Sequence, residues 1–541
     1  VVDVPAVKEY AGTLPNVVFV DENLFTCSQD TQQIMREKIE EHHLNRVVVA
    51  SCSPRTHEPL FQETLREAGL NKYLFEMSNI RDQCSWVHMH NPDKATEKAK
   101  DLIRMSVAKA RLIEPLPEMA VEVNHTALVV GGGISGMTAA LTIATQGFEV
   151  HLVERAAQLG GIATRIQHTL EGHDVQSYLE ELVNKVSQEP LIHVHKDTDI
   201  QDVTGYVGNF KTRLTARPEG EAKEILHGVA IIASGGEPYR PDEYLYGKNP
   251  GVFSMLELEE EMAKDNPMVR SSKNVVMIQC VGSREEARPY CSRTCCGKAV
   301  GCALKLKEIN PEATIYILYR DIRTYGFNET YYEEARAKGV LFIPYEIDAK
   351  PQVQAVNENG RDILRINVND PILGEDFSID ADVLALATAT VPSPGNEELA
   401  RLFKVPLNED GFFLEAHVKL RPVDFATDGV FVCGLAHSPK FIKESIAQAK
   451  AAASRATTIL SKDRVEASGT ISTVDKSKCT GCGMCVEVCP FNAIELDPQQ
   501  GVAVINEALC KGCGACASSC RSGALDIKGF NDEEILSMIK A

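Results

Sequence analysis

Short apolar runs recur along this chain, and most of them stop at a small or polar turn before a stretch of helical spacing. Residues 17–20, 46–51 and 72–77 read as strands with helical stretches between them. The run ending at Val130, then residues 149–153, 229–232, 274–279 and 427–434, repeat that form. Helix-like patterns follow over 137–146 and 445–456. Strands alternating with helices predict an α/β chain. Its 541 residues allow about three or four domains.

The turn after Val130 is the first that carries chemistry. There the chain reads Gly131-Gly132-Gly133-Ile134-Ser135-Gly136, entering the helical stretch directly. In such a turn Gly131 makes the bend and Gly133 lets the backbone approach a pyrophosphate. Gly136 lets helix and strand pack, and the helix N-terminus faces the phosphates. The next strand ends at Glu154 and Arg155. A carboxylate there accepts hydrogen bonds from an adenosine ribose and repels a 2′-phosphate. Gly160-Gly161, then Ala233-Ser234-Gly235, then the strand ending at Gly434 and a helix containing Ser445 follow in order. Singly, each is an ordinary turn. Their order is similar to that of two-dinucleotide-binding-domain flavoproteins of the thioredoxin-reductase type, which implies FAD in a domain split over roughly 120–270 and 390–465.

A second dinucleotide unit of that type opens near residue 274. Its strand ends not in glycines but in Cys280-Val281-Gly282-Ser283-Arg284, with Cys291, Cys295 and Cys296 beyond. Thiols have replaced the phosphate-binding turn. We read Cys280, Cys291, Cys295 and Cys296 as ligands of a 4Fe–4S cluster near the flavin; the competing reading is buried or redox-active thiols, such as a Cys291–Cys295 disulfide. Cys302 and Cys433 read as plain buried cysteines.

Eight of the seventeen cysteines form two runs near the C-terminus. They are Cys479, Cys482, Cys485 and Cys489, then Cys510, Cys513, Cys516 and Cys520, each spaced C-x2-C-x2-C-x3-C. Three thiolates on a tight curl, allowed by Gly481, Gly483, Gly512 and Gly514, hold one face of a cubane, and the fourth ligates the other cluster. One cluster therefore takes Cys479, Cys482, Cys485 and Cys520, and the other Cys510, Cys513, Cys516 and Cys489. Zinc also binds CxxC pairs, but two complete tandem runs argue for iron and for single-electron transfer. Arg521 stands where the second run usually carries proline.

The remaining cysteines of interest, Cys27, Cys52 and Cys84, each follow one of the first three strands. If those strands form one parallel sheet, their carboxyl ends converge, and three thiols supply most of a further cluster. Three unrelated half-buried cysteines are the alternative, with Arg55, His57 and His88 nearby.

Composition narrows the setting. With 44% hydrophobic and 24% charged residues the chain is an ordinary globular protein, and its net charge of −20 argues against nucleic acid. No apolar run approaches membrane-spanning length, and no signal-peptide pattern is present. Clustered thiols then point to a reducing, cytoplasmic setting. Val1 opens the chain without an initiator methionine, inside an apparent element, so further sequence is expected ahead of it.

Residues 47–59, Val-Val-Val-Ala-Ser-Cys-Ser-Pro-Arg-Thr-His-Glu-Pro, and 79–88, Asn-Ile-Arg-Asp-Gln-Cys-Ser-Trp-Val-His, resemble the A-type subunit of heterodisulfide reductase, an FAD and iron–sulfur protein of methanogens and related anaerobes. The likeness runs through the flavin region, the Cys280–Cys296 region and the C-terminal runs. It implies a third cluster beside FAD and a Cys-x-Cys-Gly segment ahead of Val1 that completes the N-terminal site. It also implies B-type and C-type companion subunits, ferredoxin, and electron input from a hydrogenase, a formate dehydrogenase or a nicotinamide-oxidising subunit, within a complex holding two copies of the chain (a homodimer). Two departures stand out. No extra cysteine run lies between 237 and 273, where long members carry a ferredoxin-like insert. Gly301 stands about where bifurcating members carry a lysine, with Lys298 nearly one turn earlier, which leaves electron bifurcation open.

The expected partition is 1–118 as an N-terminal α/β domain, 119–270 and 390–467 as the flavin domain, 271–389 as a cluster-bearing Rossmann-like domain, and 468–541 as a ferredoxin domain. The expected activity is that of an oxidoreductase passing electrons from a two-electron donor to one-electron clusters. A self-contained nicotinamide dehydrogenase and a non-bifurcating component of a quinone-linked or sulfur-metabolising complex are the rivals.

Overall fold

A computed structural model describes residues 1–541 apart from 118, 219, 221, 359, 360 and 468, with no description of the side chains of 55, 56, 119, 358, 361, 362 and 467. The sequence-level domain boundaries at 118 and 468, and the side chain of Arg55, thus lie outside the described residues. The chain forms two compact units, one of Glu122–Val465 and one joining Val1–Val121 to Glu466–Ala541.

Glu122–Val465 is built on two parallel five-stranded sheets. The first has the order Val430–Val432, Val229–Ile232, Thr126–Val130, Glu149–Val153, Ile192–His195. Its central strands are apolar throughout because both faces are covered. Helices Ile134–Ala144 and Ile442–Leu460 pack on one face. Ala449, Ala452, Ala453 and Ala456 make the contact surface of the second helix so small that it lies close to Ala139 and Ala140 of the first. A three-stranded antiparallel sheet, Thr198–Tyr206, Asn209–Ala216 and Ala222–His227, packs against the other face through Ile200, Leu214 and Ile225.

The second sheet repeats the plan, in the order Val252–Ser254, Val383–Thr388, Asn274–Val281, Thr314–Tyr319, Leu341–Pro344. It too carries an antiparallel three-stranded sheet, Gln352–Glu358, Arg361–Asp370 and Glu375–Ala381. Gly236–Pro238 and Thr390–Pro392 pair antiparallel where the chain passes between the two halves.

In the other unit, the expected strands at 46–51 and 72–77 are Val47–Ser51 and Phe75–Asn79, paired in parallel. Residues 17–20 form no strand, a correction to the sequence reading. Phe19 instead stacks on His42 with ring centroids 4.5 Å apart, so its apolar side chain is used without backbone pairing. Helix Pro92–Ala110 packs against the C-terminal helix Asp532–Lys540. Near that packing Lys109 is buried, bonded to Glu76 at 2.7 Å with its ammonium 3.9 Å from the Phe530 ring centroid. The Tyr73 hydroxyl accepts the Gly469 N–H at 2.5 Å. No helix among the described residues is long and apolar enough to cross a membrane.

Candidate functional site

At the carboxyl end of Thr126–Val130 the three glycines are each constrained differently. Gly131 has φ +109°, and an added Cβ would lie 2.3 Å from the Ala233 carbonyl oxygen. A Cβ on Gly136 would lie 1.8 Å from the Gly131 oxygen. On Gly133 it would meet nothing nearer than the Gly160 oxygen at 4.0 Å. Two glycines are therefore demanded by the fold and the third leaves space for a ligand, which fits a pyrophosphate at the N-terminus of helix Ile134–Ala144. Glu154 is anchored by the Gly132 and Ala156 N–H groups at 2.6 and 2.8 Å, and its remaining lone pairs suit ribose hydroxyls. Gly160 and Gly161 close over this turn, the Gly160 N–H donating to the Gly132 oxygen at 2.8 Å.

Segments distant in sequence meet here. Gly434, at φ +74°, abuts Ser135 so closely that a Cβ would lie 2.3 Å from the hydroxyl. Ala233 pairs back to Val130, and the Ser234 hydroxyl donates to Asn396 at 2.9 Å, with Gly235 open beyond. Arg155 and Ser445, also expected at the cofactor, have partners within the chain. Arg155 reaches Glu237 at 3.0 Å and Ser393 at 3.3 Å. The Ser445 N–H donates to the Phe441 oxygen inside helix Ile442–Leu460, so the free amides lie one turn earlier.

The second sheet presents thiols at the corresponding place. Cys280 sits one residue before the end of Asn274–Val281, and Cys295 and Cys296 open helix Cys295–Ile309. Between them the backbone is strained: Cys280, Arg284 and Arg293 have φ of +60°, +58° and +60°. Left-handed non-glycine residues gather where a ligand or a function requires them. Cys280 and Cys296 are buried, and Cys291 and Cys295 half-buried. Burial raises Cys295 well above the usual thiol range, with the charges of Cys296, Cys280 and Cys291 adding to it. Cys296 is pushed up to about 11, again mainly by burial. Burial also raises Cys280, against the pull of Arg284 and Arg320. Burial thus disfavours the thiolate form of Cys280, Cys295 and Cys296, with Arg284 and Arg320 pulling the other way at Cys280. Cys302 and Cys433 are buried and pushed up to about 12 by desolvation.

A cavity of about 1050 Å³ joins the two halves of this unit. Cys295, Gly297 and Lys298 line it from the thiol side, and Leu435, Lys440 and Phe441 from the glycine side. Lys440 belongs to no motif that the sequence displays. It is 9% exposed, and its ammonium donates to the Gly434 oxygen at 2.7 Å and to the Ser438 oxygen at 2.9 Å. Its one signal in the sequence is its place between an apolar strand and an alanine-rich helix.

In the C-terminal segment, Cys489, Cys510, Cys513 and Cys516 surround one small cavity, so the fourth cysteine of the first run stands with the first three of the second. Backbone N–H groups of Ala493, Ala503, Ser472 and Ala524 point at the sulfurs of Cys489, Cys479, Cys510 and Cys520 at 3.3–3.4 Å. Such bonds stabilise sulfur that carries charge, which suits iron ligation.

Comparison with known proteins agrees with this geometry. Residues 478–530 match the 4Fe-4S dicluster domain, and residues 129–184 match an NAD(P)-binding Rossmann-like domain. An A-type iron–sulfur subunit of CoB–CoM heterodisulfide reductase from Methanopyrus kandleri is 38% identical, over 93% of this chain and 90% of its own. The A-type subunit of the H2:CoB-CoM heterodisulfide,ferredoxin reductase of Methanothermobacter marburgensis is 36% identical over 100% and 95%. The chain belongs to the family of heterodisulfide reductase A-type subunits. Among solved structures, thioredoxin reductase of T. acidophilum aligns at 15% identity and a TM-score of 0.43, over 62% of this chain and 99% of that one.

This heterodisulfide reductase homologue is thus an oxidoreductase whose cofactors are FAD and 4Fe–4S clusters. Two places where family membership raises expectations are visible in the fold. Gly301 and Lys298 line the same cavity, and Lys298 is ion-paired with the nearly buried Glu259. In the other unit, Cys27 and Cys52 line one cavity of about 1180 Å³, with Val1 and Val2 also in its wall. Cys52 lies 3.0 Å from His57 Nδ1. Cys84 is fully buried in the turn Arg81–Trp86; its neighbours Arg81 and Ser85 reach that cavity and it does not.

Proposed function

We propose that this chain is the flavin and iron–sulfur subunit of a cytoplasmic heterodisulfide-reductase-like complex, taking electron pairs from a two-electron donor and sending them out singly. The observation carrying this reading is the cavity lined both by Cys295, at the end of the thiol loop, and by Leu435, Lys440 and Phe441, just after the Gly434 that closes on the glycine turn. FAD, when bound, supplies the exchange between paired and single electrons.

The residues of the chain do the rest. Gly131, Gly133, Gly136, Gly160 and Gly161 hold the dinucleotide phosphates, and Glu154 holds the ribose. Cys280, Cys291, Cys295 and Cys296 hold a cluster on the thiol side of that cavity, which Cys295 lines. The eight C-terminal cysteines hold two more clusters, in the crossed assignment, and form the outlet toward ferredoxin or a pair of B-type and C-type companions. Cys27 and Cys52 are two ligands of an N-terminal site, with His57 beside it. The names of the relatives include H2 and formate as electron sources, so a hydrogenase or formate dehydrogenase is the donor class favoured here. Coupling a downhill transfer to ferredoxin reduction, in a complex with two copies of this chain, is the working form of the reading.

Iron and labile sulfide per FAD, with a spin-resonance redox titration of the isolated chain, test it. At least three clusters per FAD are expected; two would sink the flavin-side cluster. Rapid bleaching of the flavin by NADH alone would overturn dependence on a separate donor protein.

A further inference from the structure

Lys440 is a buried cation that lacks an anion. Its ammonium is satisfied by neutral acceptors: the Gly434 oxygen at 2.7 Å, the Ser438 oxygen at 2.9 Å and the Ser438 hydroxyl at 3.2 Å. Among the described residues no carboxylate lies within ion-pair distance of it. Both nearby glutamates are engaged, Glu415 with His437 at 2.8 Å and Glu444 with Arg293 at 2.7 Å. His437 Nδ1 is 3.5 Å away, and Arg293 and Cys433 are near enough to act on the ammonium electrostatically. Desolvation accordingly lowers Lys440 to about 8, which Cys433, Glu444 and Glu415 offset only in part and Arg293 reinforces.

Burying an unpaired ammonium is costly, and such a group persists where a counter-charge arrives in function. Lys440 lines the cavity and grips the carbonyl of Gly434, the residue that abuts the first turn of the phosphate-facing helix. The helix N-terminus after Phe441 adds positive potential to the same wall. The Cys433 thiol, pushed up to about 12 by burial, is no standing counter-charge for Lys440.

We infer that Lys440 is the electrostatic partner of the negative charge that two-electron reduction places on the bound flavin ring, a positioning residue that keeps the reduced flavin from taking a second proton. This rests on FAD occupying the glycine cradle as proposed above. In chemical terms, the two-electron donor delivers an electron pair, one proton goes to the flavin N5, and N1 stays unprotonated opposite the ammonium. On reoxidation that flavin gives up two electrons and the N5 proton, so its charge goes from −1 to 0 and one of the two electron releases changes the charge that Lys440 faces.

The test is the pH dependence of the flavin midpoint potential in the FAD-loaded, full-length chain. Where two protons accompany two electrons the potential falls by about 60 mV per pH unit, and where one does, by about 30 mV. The pH at which the slope changes marks the second proton. In the wild-type chain that break should lie at least one pH unit below that of free FAD measured alongside, a tenfold drop in proton affinity. In Lys440→Gln it should move up by at least tenfold, and Lys440→Arg should restore it. An unchanged break in Lys440→Gln, or a wild-type break at or above that of free FAD, overturns the inference. If Lys440→Gln loses FAD, the wild-type comparison with free FAD decides alone. A chain that never binds FAD would instead defeat the functional reading on which the inference rests.

Discussion

The two parallel sheets of Glu122–Val465 share a plan, each placing a strand, a sharp turn and a helix at the centre of its crevice. They differ in what the turn carries. After Thr126–Val130 the turn is glycine, and its backbone leaves open space beside Gly133. At the end of Asn274–Val281 it is Cys280-Val281-Gly282, and left-handed non-glycine residues bend the loop that leads from Cys280 to Cys295 and Cys296. The crevice of an α/β sheet is a general binding place; turn residues choose the ligand. Backbone amides at a helix end suit phosphate, whereas burial disfavours a bare thiolate and favours pairing it with positive charge.

Substitutions in either turn would break that contrast, and the glycine turn carries the largest effect. Gly131→Ala forces a Cβ to 2.3 Å from the Ala233 oxygen at φ +109°. It should cost about 3–5 kcal/mol and remove FAD, read by denaturant unfolding and by flavin content, with little change in iron at the C-terminal runs. Cys295→Ser should do the opposite, keeping FAD and lowering iron by about four per chain, one cubane. If iron is unchanged in Cys295→Ser, the thiols of the second sheet are not a cluster site.

Acid separates the sheets further. His227, on the antiparallel layer of the first sheet, is fully buried; its Nδ1–H donates to the Val229 oxygen at 2.9 Å, and in the neutral ring Nε2 accepts from the Thr212 hydroxyl at 2.8 Å. Burial lowers it from 6.5 to about 4. Below pH 6.5 the unfolded chain takes up this proton and the folded one does not. Stability is therefore lost as pH falls from about 6.5 toward 4 and is regained above it. The loss should approach about 3 kcal/mol, visible as a lower unfolding midpoint of the flavin-bearing half, and His227→Gln should flatten it. The smallest effect is expected at Arg293, whose guanidinium joins Tyr325 and Glu444, both at 2.7 Å, to the Pro439 oxygen at 3.2 Å. Arg293→Ala should cost about 1–2 kcal/mol and broaden the spin-resonance signal of the flavin-side cluster without removing iron.

Legibility differs between sites for a physical reason. The C-terminal runs are readable because each puts three ligands on one curl of chain, so spacing alone implies geometry. The glycine turn is readable because strand, glycines and Glu154 follow one another within a single β-α-β unit. The N-terminal cysteines rest on a three-strand pattern, and residues 17–20 form no strand because Phe19 is used against His42. Cys84 is buried apart from the cavity that Cys27 and Cys52 line. Apolar runs report burial, and burial does not by itself require pairing into a sheet.

What sequence alone determined is the local chemistry: an iron–sulfur segment, a dinucleotide turn, and thiols where a second such turn belongs. Only tertiary structure decided what stands beside what. It joined the N-terminal and C-terminal segments in one unit through Lys109, Glu76 and Phe530. It brought Arg155 to Glu237 and Ser393, and it set the ammonium of Lys440 in the wall of a cavity that Cys295 also lines. Spacing along a chain can specify ligands that share a turn, but the environment of a charge depends on residues hundreds of positions away, and only the folded core brings those together.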